Sequence, residues 1–224
     1  MTSRDTSRSV KVAVLDYGIG NLRSAQKSLQ RVGADAHLTA DPAEIAAADA
    51  VVLPGVGAFG ACMDALDRTG LTEQAHLAAE SGRPFLGICV GMQLLYDGSE
   101  ETPGRPGLGL IPGTVELLRG DVKRPQMQWN TVRVTHQGHP LLEGIDGTWM
   151  YFVHSYAAPH GAEIIATTDY GGPVSAVAAH NNVWATQFHP EKSAEAGRRL
   201  LANWVRWVER VSGLADDERI GESA

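Results

Sequence analysis

Short, wholly apolar runs alternate with amphipathic stretches through the first half of the chain. Residues 11–16 (KVAVLD) are rich in β-branched side chains and end in the turn signal Asp16-Tyr17-Gly18, which predicts a buried strand. Over residues 21–32 the apolar positions Leu22, Ala25, Leu29 and Val32 share one helical face, with Asn21 as N-cap and Gly33 as the stop. A second strand is predicted at 36–39, and Asp41-Pro42 opens a short helix with Asp at the cap and Pro in the first turn. The third strand, 50–53, breaks off at Pro54-Gly55-Val56-Gly57. Helical patterns cover 59–67 and 72–81, a fourth buried strand at 84–88 runs straight into Cys89, and a helix takes 90–96. Strand and helix alternating at this spacing predict a parallel sheet covered on both faces.

The pattern changes in the second half. Short strands separated by turn signals are predicted at 114–118, 131–135, 150–153, 164–168, 176–179 and 183–187, several of them antiparallel. A last helix over 194–211 places Leu200, Leu201, Trp204, Val205 and Val208 on one face. The predicted fold class is therefore α/β: a doubly wound, mostly parallel central sheet with helices on both faces and an added antiparallel strand set. Residues 1–10 and 212–224 lack periodicity and read as tails around a single domain at 11–211.

Length and charge narrow the function classes. The chain has 224 residues, enough for one domain with a full core. Hydrophobic residues at 43% and charged residues at 20% exclude wholesale disorder, and no apolar run approaches the roughly 20 residues of a membrane-spanning helix. The 26 acidic against 19 basic side chains, a net charge of −7, argue against a nucleic-acid partner. Two cysteines, Cys62 and Cys89, make no disulfide framework and fit a reducing compartment. With no signal-peptide core in the first ten residues, the expected location is cytoplasmic.

The chemistry concentrates at Gly87-Ile88-Cys89-Val90-Gly91. A strand ends, the chain bends sharply between glycines, and a helix begins: the nucleophile-elbow pattern, with Cys in the place of Ser. Free N–H groups at a helix start favour negative sulfur there. Most free cysteines are simply buried, which is the reading for Cys62, expected to lie too far from Cys89 for a bridge. The partner base is His189, in His189-Pro190-Glu191 directly after the 183–187 strand. Glu191 falls two residues on, so an extended segment would let its carboxylate orient the imidazole. His154 also ends a strand; it is the second candidate base but reads better as a wall of the substrate site. His37, His76, His136, His139, His160 and His180 have the settings of surface or turn residues, and no cluster has metal-ligand spacing, so neither metal nor cofactor is expected. The Gly55, Val56 and Gly57 loop can offer N–H groups to an oxyanion together with the Val90 N–H, although turn chemistry alone accounts for its composition.

Together these segments resemble the class I, triad-type glutamine amidotransferases. The resemblance rests on Gly87-Ile88-Cys89-Val90-Gly91-Met92-Gln93 and Gln187-Phe188-His189-Pro190-Glu191, and spans roughly residues 12–208. Within that class it looks most like the glutaminase subunits of imidazole glycerol phosphate synthases. This narrowing rests on the runs beginning at Asp16, Pro54, Gly107 and Tyr151 and on His189-Pro190-Glu191-Lys192-Ser193. The resemblance implies a triad of Cys89, His189 and Glu191 acting on glutamine, with Gln93 one helical turn past Cys89 and backbone groups of Ser155 and Tyr156 against the substrate. It also implies a separate (β/α)₈-barrel cyclase subunit, joined as a heterodimer, that receives ammonia through a channel. Asn21, Arg23, Met127, Trp129, Asn130 and Lys192 are the candidates for that interface. The segment Gln126-Met127-Gln128 departs from the pattern, since such subunits usually carry His and Gly around the Met. From loop composition and this resemblance, the resting form is expected to turn the Val56 N–H away from Cys89, because a β-branched residue resists positive φ.

Two further classes stand beside this one on the residues alone. One is another cysteine hydrolase on the same scaffold, such as a γ-glutamyl hydrolase or an amidotransferase component of a different pathway. The other is a non-catalytic sensor with an oxidisable cysteine, which would have no use for a base and its orienting carboxylate.

Overall fold

The structure, a computed structural model, describes residues 8–214. The first half runs β1 (Lys11–Leu15), α1 (Leu22–Arg31), β2 (Asp35–Thr39), α2 (Pro42–Ala47), β3 (Ala50–Gly55), α3 (Phe59–Arg68), α4 (Leu71–Glu80), β4 (Phe85–Cys89) and α5 (Val90–Leu94). The second half runs β5 (Tyr96–Ser99), β6 (Ile111–Leu117), β7 (Gln126–Thr131), β8 (Arg133–Val134), β9 (Trp149–His154), β10 (Tyr156–Ala157), β11 (Ile164–Asp169), β12 (Pro173–His180), β13 (Val183–Thr186) and α6 (Ala194–Val211).

Eight strands form the central sheet in the order β2-β1-β3-β4-β13-β12-β11-β8. Pairing is parallel from β2 to β13 and antiparallel from β13 outward. This is the predicted architecture, and burial explains its legibility. β3, β4 and β13 are buried along their whole length, as strands covered on both faces must be. α1 and α6 pack together, while α4 packs with both α2 and α3. Right-handed crossovers put these two groups on opposite faces, because the chain leaves β1 outward to β2 and then returns to β3.

Several boundaries differ from the sequence reading. β3 continues through Pro54 to Gly55, where β1 no longer flanks it: the β1 pairing stops at Val52, so the missing Pro54 N–H breaks no ladder. The helix expected at 90–96 ends at Leu94, and Tyr96 starts β5, which pairs parallel to β6. Residues 126–130, where no strand is predicted, join Thr131 in β7, which pairs antiparallel with β9 along its full length. The strand expected at 131–135 shrinks to the two residues of β8. Asp41 caps α2 through Oδ1, which accepts the Ala43 N–H at 2.8 Å, whereas Asn21 makes no side-chain cap on α1. Val10, assigned to a loose tail, is fully buried, and its carbonyl accepts the Asp35 N–H at 2.8 Å. Of the two expected tails, residues 1–7 and 215–224 lie outside the described residues.

The tightest packing lies between the end of β3 and the start of α5. A Cβ on Gly91 would overlap the Leu53 carbonyl, and one on Gly55 would come within 2.7 Å of the Gly91 nitrogen. Backbone cannot yield as a flexible side chain does. Gly91→Ala is therefore expected to cost about 1–3 kcal/mol or more by overpacking. Urea denaturation checks this: a variant as stable as the parent would show that β3 and α5 have room to separate.

Candidate active site

Three neighbouring parallel strands deliver the site. Gly55 at the end of β3 is in register with Cys89 at the end of β4, and Ile88 is in register with Thr186 at the end of β13. The oxyanion-loop, nucleophile and base candidates therefore leave the sheet at one carboxyl edge, where open α/β sheets place their ligands. Cys89 is a non-glycine residue at φ 56°, ψ −113°, the strained elbow predicted from Gly87 and Gly91. It is buried, and Cys62 is a second buried free thiol with no bridge between them.

His189 lies three residues past Thr186, the last register position of β13. Its Nδ1 stands 2.7 Å from Glu191 Oε1, and both side chains are almost wholly buried, at 1% and 5% exposure. The geometry differs from the extended segment expected: residues Pro190–Lys192 make one 3₁₀ turn, because Pro190 sets a helical φ immediately after His189. Ser193 fixes that turn to β9. Its hydroxyl donates to the His189 carbonyl at 2.6 Å and accepts the Tyr151 N–H at 3.0 Å, while the His189 N–H donates to the Tyr151 carbonyl at 3.0 Å.

With the carboxylate accepting at Nδ1, the His189 proton belongs on that nitrogen, and Nε2 is left with no conventional hydrogen-bond partner. Burial opposes charge on this imidazole. The neighbouring Cys89 and Glu191 outweigh it and push the group up to about 9. His154 moves the opposite way. Burial, only partly countered by the bond from Nδ1 to the Tyr156 carbonyl at 2.9 Å, takes it down to about 4. It stays neutral and lines the pocket, the wall role assigned to it.

The pocket at this edge measures about 250 Å³ and is lined by Val56, Gly57, Cys89, Val90, Gln93, Ser155, Tyr156 and His189, among others. That is below the usual size for a drug-like ligand and suits an amino acid. Gln93 is nearly buried, and its Nε2 donates to the Tyr156 carbonyl at 2.9 Å and to Gln187 Oε1 at 3.1 Å. Both N–H groups are spent inside the chain, so Oε1 is the acceptor left for a ligand. Val56 is not among the non-glycine residues at positive φ, as expected of an unstrained resting loop, and Gly57 takes φ +101°.

Sequence reasoning missed Gln187, whose Nε2 lies 3.9 Å from the Cys89 sulfur, and Glu101, which lines the pocket and accepts the Phe59 N–H at 2.7 Å. Glu101 carried no local signal, since its position depends on β5 and β6; Gln187 stood within the quoted His motif. Of the interface candidates, Asn21, Arg23, Met127, Trp129 and Lys192 are exposed. Asn130 is turned inward instead, its Nδ2 donating to the Asp169 carbonyl at 2.7 Å, because alternate residues of β7 face opposite ways. Trp149, unnoticed in sequence, is 59% exposed and shares one face of the β7–β9 pair with Met127 and Trp129.

This fold and site define a cysteine-dependent amidotransferase of the triad type. The model of the family described as glutamine amidotransferase class-I matches residues 13–207, and the chain belongs to that family. It is similar to imidazole glycerol phosphate synthase subunit HisH of Syntrophotalea carbinolica, 48% identical with 86% of this chain and 98% of the relative covered. The protein of the same name from Methanothermobacter thermautotrophicus is 48% identical over 88% of this chain and 98% of its own length. Among solved structures, one described as a glutamine amidotransferase superposes with a TM-score of 0.70 at 21% identity, covering 90% of this chain and 98% of that one. The PurLQS structure from Thermotoga maritima gives 0.70 at 17% identity, covering 90% of this chain and 100% of that one. These two likenesses bear on the fold.

The buried charges predict a pH dependence. The His189 pKa is raised in the folded state, so its stabilising contribution is full below the ordinary 6.5 and is lost as pH rises through about 9. NMR titration of the imidazole should give a midpoint near 9, falling toward 6.5 in Glu191→Gln. A parent midpoint at or below 6.5 would contradict the charge pairing.

Proposed function

We propose that this chain is the glutaminase subunit of an imidazole glycerol phosphate synthase, acting in histidine biosynthesis in the cytoplasm. The observation that carries the reading is the buried His189–Glu191 pair, 2.7 Å apart, beside a strained Cys89 in an amino-acid-sized pocket. The 48% identity to HisH proteins over most of the chain supports the choice of synthase.

In the proposed reaction the Cys89 sulfur, its proton held by His189 Nε2, attacks the side-chain carboxamide carbon of glutamine. The oxyanion develops toward the Val90 N–H and the Gly55, Val56 and Gly57 loop. His189 passes its proton to the leaving nitrogen, the C–N bond breaks, and ammonia departs from a cysteinyl thioester. His189, held by Glu191, then takes a proton from water, which attacks the thioester and releases glutamate. Gln93 Oε1 accepts from the substrate carboxamide, backbone groups of Ser155 and Tyr156 hold its amino-acid end, and the Glu101 carboxylate suits its α-ammonium.

The ammonia goes to a (β/α)₈-barrel cyclase subunit in a heterodimer. The observation behind the docking face is an exposed apolar stripe next to the catalytic imidazole. Met127, Trp129 and Trp149 are 62%, 46% and 59% exposed on the face of the β7–β9 pair that also presents Tyr151. Trp129 meets Tyr151 edge-on at 6.0 Å, and the Tyr151 ring stands 6.5 Å from that of His189. Lys192 and Trp129 therefore flank a short path from partner to base. Such clusters of aromatic and Met side chains mark interface cores.

Cys89→Ala should abolish glutamine hydrolysis while leaving ammonia-dependent synthesis by the assembled complex intact. Residual glutaminase activity would remove Cys89 as the nucleophile. Trp149→Asp should weaken association with the cyclase by about tenfold or more, the range of an interface hot spot. Unchanged affinity by calorimetry would move the interface off the β7–β9 face.

A further inference from the structure

We propose that Tyr17 and Cys62 are positioning residues for the oxyanion loop, clamping the carbonyls on either side of the Gly55–Val56 peptide. The proposal rests on the glutaminase reading and names residues that neither the triad nor the pocket includes.

The Tyr17 hydroxyl, from the turn after β1, donates to the Pro54 carbonyl at 2.7 Å. The Cys62 thiol, on α3, donates to the Val56 carbonyl at 3.4 Å. Both side chains are buried, at 2% and 0% exposure, and neither lines the Cys89 pocket. They reach the chemistry through the loop alone. The peptide planes before and after the Gly55–Val56 unit thus have their carbonyls tied to two different elements of the core. The unit between them can turn by changing ψ of Gly55 and φ of Val56, but the loop cannot shift as a whole. The Tyr17 hydroxyl also lies 2.9 Å from where a Cβ on Gly55 would stand, so this clamp itself demands glycine at 55.

The clamps must stay donors to hold. Burial raises both groups; the Cys62 neighbour raises the Tyr17 hydroxyl further, while the Tyr17 hydroxyl pulls the Cys62 thiol down without offsetting its burial. Cys62 is thereby kept as a protonated donor while Cys89, across the loop, is the thiol exposed to substrate. A sulfur also reaches farther than a hydroxyl oxygen, since hydrogen bonds to sulfur are longer than those to oxygen.

The test uses the full chain with its cyclase partner. Tyr17→Phe keeps the ring and removes the donor; Cys62→Ala removes the thiol; Cys62→Ser keeps a donor. Each of the first two should lower kcat for glutamine by about tenfold, short of the 10²–10³ for losing an oxyanion donor outright. KM should change by less than about twofold, because ground-state binding does not use the oxyanion site. The rate of Cys89 alkylation by iodoacetamide, which needs no oxyanion hole, should be unchanged, and Cys62→Ser, whose hydroxyl reaches less far, should recover part of kcat. Unchanged kcat in both donor-deleting variants overturns the clamp. So does a fall in kcat matched by an equal fall in alkylation rate, which would mean a disturbed nucleophile. If the parent itself hydrolyses no glutamine, the proposed function fails, and crystal structures then judge the clamp: a 54–57 loop superposing on the parent in both variants overturns it.

Discussion

The start of α5 lies so close to the end of β3 that neither Gly91 nor Gly55 has room for a side chain. Everything else at the site follows from that approach. To enter α5 from β4 within one residue, the chain must reverse at Cys89, which takes φ 56°, ψ −113° at a cost that an L residue ordinarily avoids. Hydrophobic packing on both sides holds the strain: Ile88 and Met92, on either side of the bend, are at most 1% exposed. The result is a sulfur raised at the sheet edge, level with the ends of β3 and β13.

The second constraint is electrostatic. An imidazole and a carboxylate almost without solvent contact stand at the end of β13, in a setting that penalises unpaired charge. Glu191 can stay there because His189 answers it at 2.7 Å, and His189 accepts a proton because Glu191 and Cys89 both face it. Ser193 and the Tyr151 backbone fix the turn that carries them. The orientation of that pair thus depends on β9, whose outer face bears the half-buried Tyr151 and the exposed Trp149. Contact at that face and chemistry at His189 share one strand.

The parallel half of the fold was legible because β3 and β4 are buried throughout and therefore appear as unbroken apolar runs. The elbow was legible because two glycines around a cysteine between strand and helix have few other uses. β5 was not. Tyr96-Asp97-Gly98-Ser99 is short and polar, and only pairing with β6 makes it a strand. β7 was misread because its apolar positions, Met127 and Trp129, point outward, so alternation gave no sign of burial. Glu101 and Tyr17 escaped notice for one reason: their contacts lie with segments about 40 residues away, and Glu101 reaches the site only through the β5–β6 connection. Asn130 turns inward because a strand alternates its faces.

Whether packing forces Cys89 into a backbone conformation suited to glycine is tested most directly by comparing the stabilities of Cys89→Gly and Cys89→Ala in urea. At an ordinary buried position alanine is the more stable of the two by roughly 0.5–1 kcal/mol, since glycine loses more backbone entropy on folding. At a strained elbow the order reverses, and the account predicts Cys89→Gly to be the more stable by about 1 kcal/mol or more. Finding Cys89→Ala more stable by the ordinary margin would mean that the elbow carries no strain, and the account would fail at its base.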